Sequence, residues 1–249
     1  MIVGLVTGTQ QITLREFPEP EPAPGRAVVE IAHCGICGTD LEAWRHGTPY
    51  PPAICGHEWS GVVAKLPGDV PELAEGDRVA IGIAPACGGC APCRAGQPEH
   101  CQPAFLGMLG MGPMAAAHGG FARTIAVEAA RLVPVRQALS LEAAALLEPS
   151  AVALHAVLRS APVEGAGVVV LGAGPIGLLV LQCARALGAA EALVVEPQPV
   201  RRALAARLGA QVVDPGAEDV AARVRETFAP LGPDVVFECA GAPGTLAQA

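Results

Sequence analysis

Along the first 135 positions, apolar residues come in short runs that alternate with polar ones or stand nearly continuous. Examples are Ala27-Val28-Val29-Glu30-Ile31, Gly61-Val62-Val63-Ala64 and Arg78-Val79-Ala80-Ile81. Pro, Gly and Asp punctuate them at 18–25, 67–69 and 75–77. Many short strands bounded by turn residues predict a small barrel-like β domain. The opening Met1-Ile2-Val3-Gly4-Leu5-Val6 reads as a first strand, because it has neither a basic leader nor a small-residue cleavage site.

From Ser140 the pattern changes. Strong helix formers at 141–147 follow Ser140 as an N-cap, and a second helix is predicted at 150–158. Strands at 168–171, 192–195, 211–213 and 234–237 then alternate with helices at 175–187, 199–208 and 218–228. Strands that are apolar throughout are buried on both faces, so this half predicts a parallel sheet covered by helices on each side. The expected division is 1–150 and 151–249. The sequence holds no internal repeat and no low-complexity segment.

Composition narrows the class. A chain of 249 residues suffices for one large domain or two ordinary ones. Half of it is apolar and only 3 % is aromatic, so the core must be built from Ala, Val, Leu and Ile. The net charge is −8 and Lys65 is the only lysine, so the electrostatic footprint of a nucleic-acid binder is missing. No apolar stretch has the length of a membrane span. The expectation is a soluble cytoplasmic protein with neither nucleic-acid nor membrane partners. In a reducing compartment, nine cysteines with four tightly clustered favour metal over disulfides.

The cluster is Cys87-Gly88-Gly89-Cys90-Ala91-Pro92-Cys93, followed by Cys101, in a lobe at about 85–103. Four thiolates at this spacing can close a tetrahedron around one structural zinc. An iron–sulfur run has a shorter last gap than the seven residues between Cys93 and Cys101. Two disulfides are the remaining alternative.

A second motif, Gly172-Ala173-Gly174-Pro175-Ile176-Gly177, follows an apolar strand and opens a helix. In that context Gly172 permits a tight turn, Gly174 lets backbone approach a pyrophosphate, and Gly177 packs helix on strand. Glu196 closes the next strand, where a carboxylate can accept from a ribose diol and repel a 2′-phosphate. That favours NAD. Arg201 and Arg202 stand close enough to keep NADP in play.

A third, dispersed set is His33-Cys34-Gly35-Ile36-Cys37-Gly38-Thr39-Asp40 with Cys55-Gly56-His57-Glu58. Mixed sulfur and nitrogen donors suit a zinc with an open position. Cys34 and Cys37 also form a CxxC that could be redox-active or buried. Cys55 is a further candidate ligand, since it shares a face with His57 if the segment is extended.

Taken together, 35–40, Gly56-His57-Glu58, the four-cysteine lobe, Glu148-Pro149, 172–177 and Asp234-Val235-Val236-Phe237-Glu238-Cys239-Ala240-Gly241 resemble the zinc-containing medium-chain dehydrogenase/reductase family, on its sorbitol, polyol and threonine dehydrogenase side. The resemblance implies an α/β protein: an N-terminal GroES-like β-barrel catalytic domain, then a Rossmann doubly wound parallel sheet. It implies two zinc ions. Cys37 and His57 would hold the catalytic one, with Glu148 as third ligand or one water away. Cys87, Cys90, Cys93 and Cys101 would hold the structural one. Glu58 would be a carboxylate able to exchange onto the metal, Thr39 the hydroxyl taking the substrate proton, and Cys34 and Cys55 packing residues. The expected activity is hydride transfer between a secondary alcohol or polyol and NAD, with NADP as the alternative cofactor, in a homo-oligomer (dimer or tetramer).

Two departures stand out. Many relatives carry a relay histidine five residues after the first zinc cysteine, where this chain has Glu42; that residue either relays through water or is a solvated helix residue. His46 is a weaker relay candidate. The family's dinucleotide domain has six parallel strands, and four are legible here. The reading is therefore of a chain truncated at its C-terminus. Its rivals are a catalytically silent zinc- and nucleotide-binding fragment and a zinc-free reductase on the same fold.

Overall fold

The computed structural model describes residues 1–47, 56–68, 70–82, 85–108, 118–247 and 249. Cys55 and Asp69 of the predicted ligand segment and turn lie outside the described residues. The chain divides into two compact units, Met1–Glu148 and Pro149–Ala249.

In the first unit, β1 (Ile2–Gly8) and β2 (Gln11–Glu16) form an antiparallel hairpin. A five-stranded antiparallel sheet follows, built from β3 (Arg26–Cys34), β4 (Trp59–Lys65), β5 (Arg78–Ile81), β6 (Thr124–Glu128) and β7 (Leu132–Pro134) in the order β6-β3-β4-β5-β7. Val29 pairs with Val63 and Ile125, and Gly61 with Val79. These small branched residues, with Trp59, Ile81 and Val127, make one buried cluster. A side chain at Gly61 would strike the carbonyl of Glu30, so glycine lets β3 and β4 close up. A shift in the β3–β4 register between Ile31 and His33 brings Cys34 opposite Trp59, at the end of the sheet from which the chain enters α1 (Gly38–His46). Short helices α2 (Ala91–Arg94), α3 (Gln102–Met108) and α4 (Leu141–Ala144) complete the unit.

Helix α5 (Leu147–Arg159) crosses the boundary between the units. The single helix predicted at 141–147 is instead α4 plus a turn, and α5 starts three residues earlier than expected. The reason is Pro149. It has no N–H to give the carbonyl four residues back, so a helix cannot run through it. In the first turn of a new helix that N–H has no partner to lose, and the helix restarts at Leu147. Ser140 caps α4 as expected, accepting the N–H of Ala143 at 3.1 Å.

The second unit has a parallel sheet of β8 (Gly167–Leu171), β9 (Glu191–Val195), β10 (Gln211–Val213) and β11 (Val235–Glu238), ordered β10-β9-β8-β11. Helices α6 (Pro175–Ala186), α7 (Pro199–Arg207) and α8 (Val220–Thr227) alternate with the strands. Val168, Val170 and Val194 pack with Val180, Leu181 and Ala205 on one face; Val169, Leu171, Leu193 and Val213 pack with Val220 and Val224 on the other. This two-sided burial is what the unbroken apolar strands predicted. Helix α8 begins two residues late because Asp219 caps it, accepting the N–H of Ala222 at 3.0 Å. Strand β11 begins one residue late because Asp234 turns its carboxylate to the N–H of Gly167, at 2.7 Å. Among the described residues no helix is long and apolar enough to cross a membrane.

Candidate functional site

Three donors converge at the end of β3. One ligand atom each from Cys37, His57 and Glu58 lies within 4.8 Å of the others. The chain leaves β3 at Cys34, turns at Gly35, and enters α1 with Cys37 as N-cap. The N–H of Gly35 donates to the carbonyl of Glu58 at 2.7 Å. A Cβ on Gly35 would sit 2.5 Å from Glu58 Oε2, so glycine leaves the room that the carboxylate fills. Gly56, at φ +81°, turns the chain into His57, and its carbonyl accepts the N–H of Gly120 at 2.7 Å.

Asp40 ties the two ligand-bearing segments together. It is only 5 % exposed. Its Oδ2 accepts the N–H of Cys37 at 2.8 Å, its Oδ1 accepts the N–H of Gly56 at 3.0 Å, and Oδ1 also stands 3.9 Å from His57 Nδ1. Sequence reasoning quoted Asp40 but gave it no role. Its signal was the spacing: an acid at the third helical position, three residues after the N-cap, is the reciprocal half of a capping box.

The Cys37 thiol stands 3.7 Å from Thr39 Oγ1. Burial pushes its pKa up, so a nearby cation is needed to hold the thiolate at neutral pH. Zinc–donor distances of about 2.0–2.3 Å put tetrahedral ligand atoms roughly 3.3–3.8 Å apart. The Cys37/His57/Glu58 donors, all within 4.8 Å of one another, are close enough to gather around one such ion. The set offers sulfur, nitrogen and oxygen, three of the four donors that tetrahedral zinc takes. Glu148, the acid expected as third ligand, is not in this group; Glu58 is. Glu58 follows His57 directly and has Gly35 to make space for it, whereas Glu148 comes from α5. Glu148 is nonetheless coupled electrostatically to the group. Burial and the charge of Glu58 raise its pKa, and His57 opposes them.

Glu42 and His46 lie on the exposed side of α1. Glu42 contacts Arg45 Nη1 at 3.1 Å and His46 Nε2 at 2.9 Å, in an arrangement characteristic of a solvated helix face. Cys34 is held as a neutral thiol, its pKa pushed to about 12 by burial and by the charges of Asp40 and Glu58. That environment suits a packed thiol and not a redox-active one.

The four-cysteine lobe also gathers. The sulfurs of Cys87, Cys90, Cys93 and Cys101 lie within 4.8 Å of one another, with Cys90 and Cys93 at 3.4 Å. Cys90 caps α2, whose first turn carries Pro92, and the N–H of Cys93 holds the Cys90 thiol down at about 6. The N–H of Cys87 donates to the sulfur of Cys101 at 3.2 Å. Four sulfurs around one zinc stand about 3.8 Å apart, so this set fits a closed tetrahedral ion.

In the second unit the glycine turn lines a pocket of about 430 Å³. Gly172 has φ +97°, and a Cβ there would lie 2.9 Å from the backbone of Ala240. A side chain at Gly177 would strike the carbonyl of Gly172, whereas Gly174 faces open space with no atom within 4 Å. Pro175 opens α6, and Ile176 packs on the core below. An open glycine at the head of a helix is the cradle a pyrophosphate requires. Glu196 lines the same pocket at 3 % exposure, with Oε2 on the N–H of Ala173 (2.7 Å) and Oε1 on that of Gln198 (2.8 Å). Arg201 is an exposed part of the lining. Arg202 is pinned to Asp214 at 2.8 Å and to the carbonyls of Glu196 and Pro197. The opposite wall, Cys239, Ala240, Ala242 and Thr245, was not assigned from sequence. Only the 234–241 motif hinted at it, and nothing marked Thr245.

Residues 23–137 match the family described as alcohol dehydrogenase GroES-like domain, and residues 175–249 the one described as zinc-binding dehydrogenase. The chain is 37 % identical to (R,R)-butanediol dehydrogenase of Bacillus subtilis, over 96 % of this chain and 70 % of that protein. It is 36 % identical to L-threonine 3-dehydrogenase of Pyrococcus horikoshii, over 94 % and 67 %. A solved structure of a zinc-binding dehydrogenase from Sinorhizobium meliloti, described as bound to NADP, superposes with a TM-score of 0.82 at 33 % identity, covering 98 % of this chain and 71 % of that one. Across curated relatives the chain spans from 63 % to 71 % of their length. Two family matches, and relatives 36–37 % identical over two thirds or more of their length, show where the chain stands: it belongs to the zinc-dependent medium-chain dehydrogenase/reductase family of alcohol and polyol dehydrogenases.

Proposed function

We propose that this chain transfers a hydride between a secondary alcohol or polyol and NAD, with one catalytic and one structural zinc. The observation that carries the reading is the convergence of Cys37, His57 and Glu58 within 4.8 Å of one another, three donors where tetrahedral zinc takes four. Cys37 and His57 hold the catalytic metal. Glu58 supplies the third contact, and Glu148 is the second acid assigned to this metal. Cys87, Cys90, Cys93 and Cys101 hold the structural ion.

When bound, zinc supplies Lewis acidity toward the alcohol oxygen and the nicotinamide supplies the hydride acceptor. The remaining work falls to the chain. Thr39 presents its hydroxyl beside Cys37, where it would accept the substrate proton on oxygen while releasing its own hydroxyl proton outward to water. Asp40 fixes the turns that carry Cys37 and His57. Gly172, Gly174 and Gly177 shape the bed for the pyrophosphate, with Pro175 and Ile176 opening the helix that faces it. Glu196 favours NAD, although a structural relative holds NADP. Glu42 serves as a relay only if water links it to Thr39. A cytoplasmic homo-oligomer, dimer or tetramer, completes the reading, since the free thiols of the lobe need a reducing compartment.

The test is NADH formation with a panel of secondary alcohols and polyols on zinc-replete protein, with zinc quantified in the same sample. Turnover that disappears on chelation and returns with zinc supports the proposal. Both sites filled with zinc but no turnover on any alcohol would favour the second reading, a zinc- and nucleotide-binding chain without activity.

A further inference from the structure

We propose that the first unit carries a further ligand site, a pocket that takes a small monocarboxylate with an apolar body, and that Arg26 receives its carboxylate group.

A charge imbalance points there. Arg26 opens β3 directly opposite Glu128 of β6, yet no ion pair joins the two among the described residues. Glu128 faces Arg131 instead, Oε2 to Nη1 at 3.7 Å. That contact is too long for a hydrogen bond, and Oε2 makes none elsewhere. Arg131 is 8 % exposed. Burial lowers its pKa, Glu128 opposes the shift, and the charge of Arg26 adds to it. Two guanidinium groups thus share one carboxylate. Of the five N–H donors of Arg26, one on Nη2 reaches the carbonyl of Ala126 at 2.8 Å, and Nε is buried with no hydrogen-bond partner. A half-buried cation without a counter-charge is unfavourable, and an anion bound from outside would offset that cost.

Room for the anion lies beside it. Arg26 lines a pocket of about 330 Å³, and none of Cys37, His57 and Glu58 does. Phe17, Pro20 and Ile125 give the pocket apolar walls. The ring of His118 closes one side, edge-on to Phe17 with centroids 5.3 Å apart. An apolar body fits these walls, while the guanidinium fork matches the two oxygens of a carboxylate. Glu19 and Glu21 also line the pocket. Both are mostly exposed, and each has its own cation: the Met1 ammonium stands 3.5 Å from Glu19, and Lys65 Nζ 2.9 Å from Glu21. They do not neutralise Arg26. Their charges would repel a second negative group on the ligand, so the pocket selects a monoanion over a dicarboxylate or a phosphate.

The test is calorimetry on the zinc-replete 249-residue chain with three probes that share a phenyl body. Phenylacetate carries one negative charge, phenylacetamide none and phenylmalonate two. We expect phenylacetate to bind at least about tenfold more tightly than either of the others. Arg26→Met keeps the apolar stem and removes the charge, and should weaken phenylacetate about tenfold or more while leaving phenylacetamide within about twofold. Ala23→Leu narrows the pocket without touching the charge, and should weaken all three probes. It decides the matter if Arg26→Met does not fold. No heat from phenylacetate at about 10 mM would overturn the proposal, as would equal affinity for the acid and its amide. Phenylacetate binding that survives both substitutions would place the anion elsewhere, for instance on the zinc, and would overturn it too.

Discussion

The carboxylate of Asp40 accepts the backbone N–H of Cys37 at 2.8 Å, and its other oxygen reaches Gly56 at 3.0 Å. One buried side chain therefore sets the separation of two segments that would each supply a zinc ligand. Asp40→Asn keeps the shape but replaces one accepting oxygen with an NH₂ group, which cannot accept. Zinc affinity at the Cys37/His57 site is expected to fall about 10- to 100-fold, as for other residues that orient ligands. Chelator competition measures this, with the four-cysteine lobe of the same chain as internal control. Unchanged affinity would mean that Asp40 serves only as a helix cap.

Two ligand sets imply two ions. Metal analysis of the replete chain is expected to return about two zinc ions, one closed and one open. Cys37→Ala should return about one ion and keep its fold, since an open site contributes little to the surrounding packing. Cys90→Ala should lower the melting temperature and lose solubility, because a closed zinc site contributes directly to folding. Equal damage in the two variants would contradict this division of labour.

Much of this was legible because it is local. A CxxCxxC spacing brings sulfurs together whatever surrounds it, and Gly172 to Gly177 announce a strand-turn-helix by themselves. Alternating and unbroken apolar runs separated an antiparallel sheet from a parallel one for the same reason. What escaped depended on distance in sequence. Glu58 was read as a carboxylate able to exchange onto the metal, but its place beside Cys37 and His57 depends on the space left by Gly35, twenty-three positions earlier. Asp40 works through Gly56, sixteen positions away. Pro149 was visible, yet whether it ends one helix or begins another was settled only by packing. The far wall of the dinucleotide pocket comes from a turn at 239–245 that has no periodicity to read.

Glu238 and Thr245 give a pH-dependent expectation. The hydroxyl of Thr245 donates to Glu238 Oε1 at 2.8 Å, and the N–H groups of Gly241 and Ala240 add to it at 3.0 and 2.9 Å. Together they hold the carboxyl below its ordinary value of 4.5, the Thr245 hydroxyl most of all. A depressed folded-state pKa contributes stability that is present above the ordinary value and disappears as pH falls through the folded one. Thr245→Val should therefore melt lower than the unaltered chain near neutral pH. The gap should close on acidification below the ordinary carboxylate range. A gap of constant size at both pH values would show that the threonine matters for packing and not for charge.

Gly174 and Gly177 should fail in opposite ways. At Gly177 a methyl group would strike the carbonyl of Gly172 and stand 3.4 Å from Cys239 Cβ. Helix α6 would have to lift off the turn, so Gly177→Ala should cost about 1–3 kcal/mol of stability, the usual price of overpacking. Gly174 is different. Its φ of −68° and ψ of 178° suit any residue, and no atom lies within 4 Å of the position a Cβ would take. Gly174→Ala should leave the melting temperature unchanged, or raise it slightly by stiffening the unfolded chain. The new methyl would point into the space that a pyrophosphate needs for close approach to the backbone. Dinucleotide binding should then drop at least about tenfold in a protein that is otherwise sound. Thermal melting and NADH fluorescence titration of both variants separate the effects. A Gly174→Ala chain that binds NADH as tightly as the unaltered one would show that the pyrophosphate does not rest on this turn.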